Sequence, residues 1–215
     1  MNLLVNEIFY SIQGESTFAG LPCIFVRLAG CNLRCRWCDT TYAHKNGELL
    51  SLEEIIEKIR RYSCSLVEIT GGEPLLQENT PTLADELLSL GYRVLVETNG
   101  SQNIDLVSRI CHRIVDFKCP GSGMHQHNDL QNITRLTPND QVKFVISNRE
   151  DYLFSCNLAE TIREKTGSEF PILFSPAVPD LKPKTLARWI LQDSLEVRLQ
   201  VQLHKIIWGT NARGV

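Results

Sequence analysis

Short apolar runs alternate along the chain with segments in which apolar residues recur at helical spacing. Runs rich in β-branched and aromatic residues predict strands at residues 2–8, 23–28, 66–70, 93–97, 114–117, 142–146, 172–174 and 197–201. Helical patterns between them predict helices at residues 82–90, 104–111, 149–165 and 184–191, and one more between Thr40 and Leu66. In that additional helix, Ser51 and Glu54 form a capping-box pattern ahead of the apolar positions.

This alternation predicts an α/β fold, with a parallel sheet that helices cover on its outer side. In such a fold the loops at the carboxyl ends of the strands hold the functional residues. The chain contains no repeat, low-complexity segment or linker, so we expect a single domain over residues 1–215.

The composition is that of an ordinary folded protein. The chain has 215 residues, 43% of them hydrophobic, and a net charge of −3. These values argue against disorder and against a bulk basic surface for nucleic acid. No apolar run approaches the roughly 20 residues of a membrane span, and the first residues do not resemble a signal peptide. We therefore expect a cytoplasmic protein that binds neither nucleic acid nor membrane.

The eight cysteines are unevenly distributed, and in a reducing compartment we expect no disulfides among them. Five scattered ones are interpreted as small buried residues: Cys23, Cys64, Cys111, Cys119 and Cys156. The other three, Cys31, Cys35 and Cys38, have the spacing C-x₃-C-x₂-C. Cluster and scatter therefore need separate explanations.

The clustered cysteines follow the predicted strand that ends at Leu28, on a loop that opens with Gly30. Three thiolates this close together can converge on one metal centre. An iron–sulfur cubane normally takes four cysteines, so three would leave one iron open to an exogenous ligand. Two alternatives remain: a zinc site with His44 as the fourth ligand, and three buried cysteines without a metal.

The cysteine spacing, with Trp37 just before the last cysteine, resembles the signature of radical S-adenosylmethionine enzymes. The Gly-Gly-Glu-Pro at residues 71–74 resembles the GGEP segment of the same superfamily. Two glycines let backbone groups approach a ligand closely, although alone this segment could be a turn ahead of the next helix. Together the two motifs imply a [4Fe–4S] cluster on the three clustered cysteines, with S-adenosylmethionine beside it.

Four further stretches narrow the resemblance to the 7-carboxy-7-deazaguanine synthase family: residues 8–16, 25–30, 116–123 and 202–209 with 213–215. The likeness runs from Glu7 to Val215. Some members of that family lengthen the gap between the first two cysteines, whereas this chain has the plain superfamily spacing. The cysteine motif alone therefore does not identify the family.

The family resemblance implies a fold, a reaction and partners. The fold would be a trimmed, open version of the (β/α)₆ partial barrel of radical enzymes, with a C-terminal tail closing the substrate pocket. The reaction would be the ring contraction of 6-carboxy-5,6,7,8-tetrahydropterin to 7-carboxy-7-deazaguanine with loss of ammonia, a lyase step of queuosine biosynthesis. It would need the cluster, S-adenosylmethionine, Mg²⁺ and a reductant such as flavodoxin, and the chain would form a homodimer.

By the same resemblance, eight residues contact the pterin: Ile12, Gln13, Gly14, Glu15, Arg27, Thr70, His204 and Val215. Arg27 suits a carboxylate because a guanidinium donates along two parallel directions, and the α-carboxylate of Val215 would accept hydrogen bonds from the ring. The alternatives are a surface ion pair for Arg27, a polar turn at residues 12–15, a structural histidine at position 204 and a frayed chain end. Trp208 argues against fraying, because we expect a bulky aromatic residue to be buried.

The resemblance also assigns residues to S-adenosylmethionine: Trp37, Cys38, Asp39, Gly72, Thr98, Asp116, Phe117, Lys118, Ser175, Pro176, Ala177 and Val178. Asn99 and Gly100, after the fourth predicted strand, would reach its ribose or methionine part. Thr40 would bind magnesium, which accepts few protein ligands when water and substrate oxygens complete its octahedron. The alternatives are an exposed lysine at position 118 and a simple loop cap at Thr40.

Two rival functions remain at this point. One is a small radical activase that forms a glycyl radical on a partner protein, which would need an open groove for a peptide. The other is a non-catalytic zinc or iron–sulfur binding module. Arg27 and the tail around Trp208 favour a closed small-molecule pocket.

Overall fold

A computed structural model describes residues 1–167, 170–210 and 212–215. At its centre these residues form a nine-stranded sheet in the order β3-β1-β2-β4-β5-β6-β7-β8-β9. The strands are β1 Asn2–Ile12, β2 Pro22–Leu28, β3 Glu48–Ser51, β4 Leu66–Gly71, β5 Arg93–Thr98, β6 His112–Asp116, β7 Gln141–Ile146, β8 Ile172–Pro176 and β9 Arg198–Leu199. Because β3 and β9 are the two edges, the described sheet is not closed into a barrel.

The predicted parallel α/β sheet is confirmed for β2 and for β4 to β9, which pair in parallel. β1 pairs antiparallel with both β2 and β3 and bulges between Val5 and Glu7. It continues to Ile12, beyond its predicted end. The sequence pattern does not predict β3, because four residues leading directly into a helix are too few to show an alternation.

Five helices of the described chain pack against the outer face: α1 Leu52–Ile59, α2 Thr80–Ser89, α3 Asn132–Arg135, α4 Arg149–Thr166 and α5 Pro183–Gln192. A sixth helix, α6 Leu203–Trp208, follows β9 and lies on the inner side. The predicted capping box starts α1. Ser51 Oγ accepts a hydrogen bond from the Glu54 N–H at 3.2 Å, and the Glu54 carboxylate accepts from the Ser51 N–H at 2.8 Å. Among the described helices, none has both the length and the apolar composition needed to cross a membrane.

The helix predicted at residues 104–111 is wrong. Only Ile104–Leu106 form a short 3₁₀ turn. The Ile104 N–H donates to the Asn132 side chain at 3.2 Å, and its carbonyl accepts from the Arg113 guanidinium at 3.0 Å. Side chains from other elements thus occupy the backbone groups at the start of that segment, although its apolar spacing is helical.

The two faces of the sheet differ in character. The larger hydrophobic core lies between the outer face and the helices, whereas the inner face carries a small separate apolar cluster: Cys23, Phe25, Leu66, Leu95 and Ile114. Side chains two residues further along a strand point to the same face. On the inner face these next positions are mostly charged, namely Arg27, Glu68, Glu97, Asp116 and Lys143. The inner face therefore changes from apolar to charged toward the carboxyl ends of the strands.

The expected burial of Trp208 is wrong. Trp208 is 47% exposed at the end of α6, and Ile206 before it is 70% exposed. The six-residue helix contacts the rest of the chain through its first turn, which leaves its apolar end in solvent. Burial was expected from the size of the side chain, but a helix this short packs only one end.

Candidate active site

A cavity of about 460 Å³ opens where the carboxyl ends of the parallel strands meet the cysteine loop. Its walls combine the β1–β2 loop, the loop at residues 30–40, the ends of β2 and of β4 to β8, and the segment after β9. The volume falls within the roughly 300–1,000 Å³ of small-molecule sites. The position is the one at which parallel α/β sheets place their chemistry.

The main chain holds the cysteine loop to the sheet. The Gly30 N–H donates to the Ala43 carbonyl at 2.8 Å, and the Gly30 carbonyl accepts from the Glu73 N–H at 2.7 Å. Further along, the Arg36 N–H donates to the Ser122 carbonyl at 3.1 Å. These contacts leave all three cysteines partly exposed on the cavity wall: Cys31, Cys35 and Cys38.

Polar groups surround two of these thiols. Asn99 Nδ2 lies 3.8 Å from Cys31 Sγ, and Cys38 Sγ lies 3.7 Å from Thr40 Oγ1 and 3.6 Å from His44 Nε2. Within the described part of the chain, no three His, Cys, Asp or Glu side chains converge on one point as ligands of a single ion do. An iron–sulfur cluster binds each cysteine through a different iron atom, and three sulfur donors beside an open cavity are a ligand set that fits it.

Two glycines at the end of β4 bring that strand against the cysteine loop. Gly71 has a φ of +143°, and a Cβ there would lie 2.1 Å from the Leu28 carbonyl oxygen. A Cβ on Gly72 would lie 2.0 Å from the Gly30 carbonyl oxygen. Since real Cβ atoms do not approach oxygen so closely, only glycine permits this wall of the cavity.

Glu73, the next residue, ties the ends of β4 and β5 together. Its fully buried carboxylate accepts hydrogen bonds from the Leu75 N–H at 2.9 Å and the Thr98 hydroxyl at 2.8 Å. A third comes from the Asn99 N–H at 2.6 Å. Burial raises the pKa of Glu73, although these hydrogen bonds act in the opposite direction. Glu73 therefore shapes the loops that line the cavity.

Four charged side chains on the inner face line the cavity below the cysteine loop and form what we call the charged floor: Glu15, Glu68, Glu97 and Lys143. Lys143 pairs with the Glu15 carboxylate and with Glu97, where Nζ lies 2.7 Å from Oε1. Burial would lower the pKa of Lys143, but the two carboxylates raise it well above its usual range. Burial would likewise raise the pKa of Glu15, but Lys143 lowers it. The pair with Glu15 is therefore ionised on both sides.

Glu68 adds a second acidic group to this floor. The Gln13 Nε2 amide donates to Glu68 Oε2, and the Glu15 N–H donates to Gln13 Oε1 at 2.8 Å. Burial raises the pKa of Glu68 well above its usual range, and the carboxylates of Glu97 and Glu15 raise it further. The floor thus combines the ionised Glu15 carboxylate with one carboxyl group, that of Glu68, which favours its neutral form.

Arg27, near the end of β2, also lines the cavity. Its Nε donates to Glu7 Oε1 at 2.7 Å, and the Tyr42 hydroxyl donates to that oxygen at 2.9 Å. The guanidinium carbon lies 5.7 Å from the centre of the Phe9 ring. Arg27 therefore forms the ion pair considered from the sequence, and its side chain, 15% exposed, also lines the cavity.

The segment after β9 folds back over the cavity. The Leu203 N–H donates to the Gly14 carbonyl at 3.0 Å, and a Cβ on Gly14 would lie 2.1 Å from His204 Nδ1. Lys205 Nζ lies 2.7 Å from Asp39 Oδ2 in the cysteine loop. The tail therefore touches both the floor and the cysteine loop.

Asp116 and Lys118 form a buried ion pair beyond β6. Lys118 Nζ lies 2.7 Å from Asp116 Oδ2. Burial would lower the pKa of Lys118, but the Asp116 carboxylate raises it. Lys118 is thus not the exposed lysine that the sequence left open. Asp116 Oδ1 is buried with no hydrogen-bond partner in the described residues, so it suits a polar group of a ligand in the cavity.

The structure places nearly all the predicted site residues on this cavity. All the predicted substrate residues line it, as do Thr40 and Asn99. The predicted cofactor residues line it as well, apart from Phe117 and Gly100. The Phe117 ring is buried in the outer core, 6.3 Å from the Phe144 ring, and its N–H donates to the Lys143 carbonyl. The Phe117 side chain therefore points away from the cavity, and its expected contact with the cofactor stays a prediction.

Other lining residues were missed from the sequence: Glu7, Tyr42, Glu68, Glu97, Lys143, Gln202 and Lys205. The signal available for Glu68 and Lys143 was a charged residue inside an otherwise apolar strand, which burial disfavours unless it is paired or functional. Glu7 and Tyr42 gave no such signal, because they lie in partly exposed segments.

Comparison with known proteins first defines a class. A profile described as the Radical SAM superfamily matches residues 26–117, which contain the cysteine loop and the glycine pair. A crystal structure of QueE from Escherichia coli matches with a TM-score of 0.79 at 24% identity, covering 95% of each chain, and supports the fold. Fold, cavity and cysteine loop together define a radical S-adenosylmethionine protein.

Relatives then define the family. The 7-carboxy-7-deazaguanine synthase of Koribacter versatilis is 42% identical over 98% of this chain and 99% of its own. That of Chlorobaculum tepidum is 45% identical over 99% and 97%, and that of Leptospira interrogans 39% over 98% and 97%. The chain belongs to the 7-carboxy-7-deazaguanine synthase family. These relatives support neither the glycyl-radical activase nor the non-catalytic module.

Proposed function

We propose that this chain converts 6-carboxy-5,6,7,8-tetrahydropterin to 7-carboxy-7-deazaguanine with loss of ammonia, as a lyase of 7-deazapurine biosynthesis. The observation that carries the proposal is that the cysteine loop, the glycine pair and the charged floor line one cavity. A radical ring contraction needs a cluster-bound cofactor and a polar heterocycle side by side. The cysteine loop with the glycine pair suits the cofactor, and the charged floor suits the heterocycle.

The cysteine loop and the glycine pair would hold the cofactors. Cys31, Cys35 and Cys38 would bind a [4Fe–4S] cluster, and the backbone around Gly72 would bind S-adenosylmethionine. When bound, these groups would supply the radical chemistry that begins with removal of hydrogen from C6 of the pterin. The polar residues beside them, with Asp116 Oδ1 unpartnered, would orient the cofactor.

The floor would hold the pterin, which is flat, polar and carries one carboxylate. Arg27 would bind that carboxylate through the terminal nitrogens of its guanidinium, since its Nε already donates to Glu7. Gln13 and Glu15 would meet the ring, and His204 and Val215 would close the cavity over it. The packed floor and the tail would keep water from the radical.

Magnesium at Thr40 is part of the same proposal. The Thr40 hydroxyl lines the cavity between the cysteine loop and the Arg27 wall. A single hydroxyl binds a cation weakly, but magnesium keeps several waters and takes substrate oxygens as ligands. The pterin carboxylate would supply such oxygens.

We also propose the remaining partners. The exposed residues of the cysteine loop, Asn32, Arg34 and Arg36, leave a path by which a flavodoxin-like reductant could reach the cluster. The exposed apolar end of α6 supports a homodimer. All eight cysteines lie in the described residues and are free, which supports a reducing cytoplasm.

One experiment tests the reaction. The protein is reconstituted with iron and sulfide without air and incubated with the carboxypterin, S-adenosylmethionine, Mg²⁺ and dithionite. We expect a product lighter than the substrate by one ammonia, formed only when every component is present. Unchanged pterin in the complete mixture, from protein that carries its full iron content, would contradict the proposal.

A further inference from the structure

Glu68 is a buried carboxyl group at the bottom of the cavity. It lies on β4, two residues before Thr70, and is 3% exposed. In the sheet its neighbours are Phe25 on β2 and Leu95 on β5, both in the inner apolar cluster. Glu68 is therefore the first polar group above an apolar layer, and it faces the cavity.

Glu68 fixes the orientation of the Gln13 carboxamide. Gln13 Nε2 donates to Glu68 Oε2, while Gln13 Oε1 accepts from the Glu15 N–H at 2.8 Å. The Gln13 main chain is also held, because its N–H donates to the Leu21 carbonyl at 2.8 Å. A carboxamide has two donors and two acceptor lone pairs. One N–H and one lone pair therefore remain, and their direction is set.

We propose that Glu68 is a positioning residue of the pterin site, which holds the Gln13 carboxamide so that its remaining donor and acceptor meet the pyrimidine edge of the substrate. That edge presents a ring N–H next to a carbonyl oxygen, the complement of an amide. Pairing of an amide with such a base edge is a two-point contact that needs a fixed amide plane. The inference rests on the proposed function and names what orients its substrate.

The charge state of Glu68 suits this role. Charged groups face it from the neighbouring elements: Glu15 in the β1–β2 loop, Arg27 on β2, Glu97 on β5 and Lys143 on β7, with the Cys23 thiol below it. Burial, Glu97 and Glu15 raise the pKa of Glu68, and Lys143 and Arg27 offset this only in part. A neutral carboxyl group accepts a hydrogen bond from Gln13 through one oxygen, and its O–H can donate a hydrogen bond to the ligand.

Glu73, on the same strand end, shows what a purely structural carboxylate looks like here. It accepts three hydrogen bonds from the protein. Glu68, by contrast, accepts a single side-chain hydrogen bond from the described residues, the one from Gln13. Glu68 thus keeps hydrogen-bonding capacity facing the cavity.

The test compares Glu68→Ala, Glu68→Gln and the control Leu95→Val, which alters the neighbouring inner-face position outside the cavity. The probe is 6-carboxypterin, whose dissociation constant is measured by equilibrium dialysis against the reconstituted, S-adenosylmethionine-bound enzyme. We expect Glu68→Ala to weaken pterin binding about tenfold or more. Glu68→Gln keeps a neutral acceptor for Gln13 and should stay within about threefold of the unchanged protein, as should Leu95→Val.

A pH series separates positioning from structural support. In the unchanged protein, rising pH ionises Glu68, adds a third negative charge beside Glu15 and Glu97, and weakens pterin binding. Glu68→Gln should lose less affinity for the pterin over the same pH range. Ionisation of the pterin itself affects both proteins equally, so the difference between them reports on Glu68. Affinity equal to the unchanged protein in Glu68→Ala, or parallel loss of pterin and S-adenosylmethionine affinity, would overturn the inference. Failure of the unchanged protein to bind the pterin would instead count against the proposed function.

Discussion

The two halves of the cavity are built in different ways. The cofactor half is built around two short segments, residues 30–40 and 71–73, which main-chain hydrogen bonds and the Gly71–Gly72 pair hold together, and the ends of β5, β6 and β8 complete it. The pterin half gathers side chains that lie far apart in the chain, from Gln13 to His204, and fixes them through ion pairs and buried hydrogen bonds. One half depends on backbone shape, and the other on a network of charges.

This difference predicts separable failures. A change in the cofactor half should abolish cluster assembly or cofactor binding, because the three thiols and the close backbone approach at Gly72 are the groups that would hold the cluster and the cofactor. A change in the pterin half should leave the cluster intact and affect the substrate, because the floor is supported by the sheet and by pairs such as Lys143 with Glu97.

The largest effect should come from the cluster ligands. Replacing Cys31, Cys35 or Cys38 by Ala removes one of three thiolates, so cluster assembly and S-adenosylmethionine cleavage should be lost together. Iron content and 5′-deoxyadenosine release measure the two. Cys156→Ala, a partly exposed cysteine away from the cavity, is the matched control and should retain both. Full iron content in Cys35→Ala would contradict the assignment.

The next effect concerns Arg27. Arg27→Ala leaves the substrate carboxylate without a charge-assisted partner, at a cost of about 1.5–3 kcal/mol, or roughly ten- to one-hundred-and-fifty-fold in pterin affinity. Cluster content and slow uncoupled cofactor cleavage should persist. Arg27→Lys keeps the charge but not the planar fork and should fall in between. Normal pterin affinity with weakened S-adenosylmethionine binding would move Arg27 to the other half.

A smaller effect is expected where the tail meets the floor. Gly14→Ala places a methyl group against the His204 ring, and overpacking of this kind costs about 1–3 kcal/mol. The tail should shift outward, so the KM for the pterin should rise roughly five- to one-hundred-and-fifty-fold with little change in cluster content. An unchanged KM would show that the tail does not close the pterin half.

The smallest effect concerns Thr40, where the two halves meet. Thr40→Ala removes one weak magnesium ligand while water and substrate oxygens remain. We expect the Mg²⁺ concentration for half-maximal rate to rise severalfold, with the rate recovering at saturating Mg²⁺. The same Mg²⁺ dependence in both proteins would remove Thr40 from the metal site.

The contrast between the halves also explains what the sequence could predict. The cluster-binding part of the cofactor half could be predicted from Cys31, Cys35 and Cys38, because these three residues are neighbours in the chain, and the glycine pair could be predicted from its own short motif. In the pterin half, only those residues that lie within a family-like sequence stretch could be predicted. Glu97 and Lys143 form an ion pair because their side chains project from the same inner face, on strands β5 and β7 that β6 separates. That proximity is a property of the assembled sheet.

The fold shows the same limit. The parallel strands and the capping box of α1 follow from local patterns. The helix predicted at residues 104–111 fails where the Arg113 guanidinium takes the Ile104 carbonyl, which a helix would pair with the N–H four residues later. Trp208 is exposed because its short helix has no partner along its apolar end within the described chain. Both misses depend on tertiary packing, which in the described residues is present at Ile104 and absent at Trp208, and which local patterns do not contain.

The central claim is that the two halves hold the cofactor and the pterin side by side in one cavity. Carboxypterin deuterated at C6 tests it most directly, with S-adenosylmethionine recovered after turnover and analysed by mass. We expect deuterium in the recovered cofactor, because the atom removed from C6 would pass to the 5′-carbon of the adenosyl group, and return of a hydrogen from that carbon to the ring would re-form the labelled cofactor. Product formed while the cofactor stays unlabelled and the deuterium passes to water would contradict it.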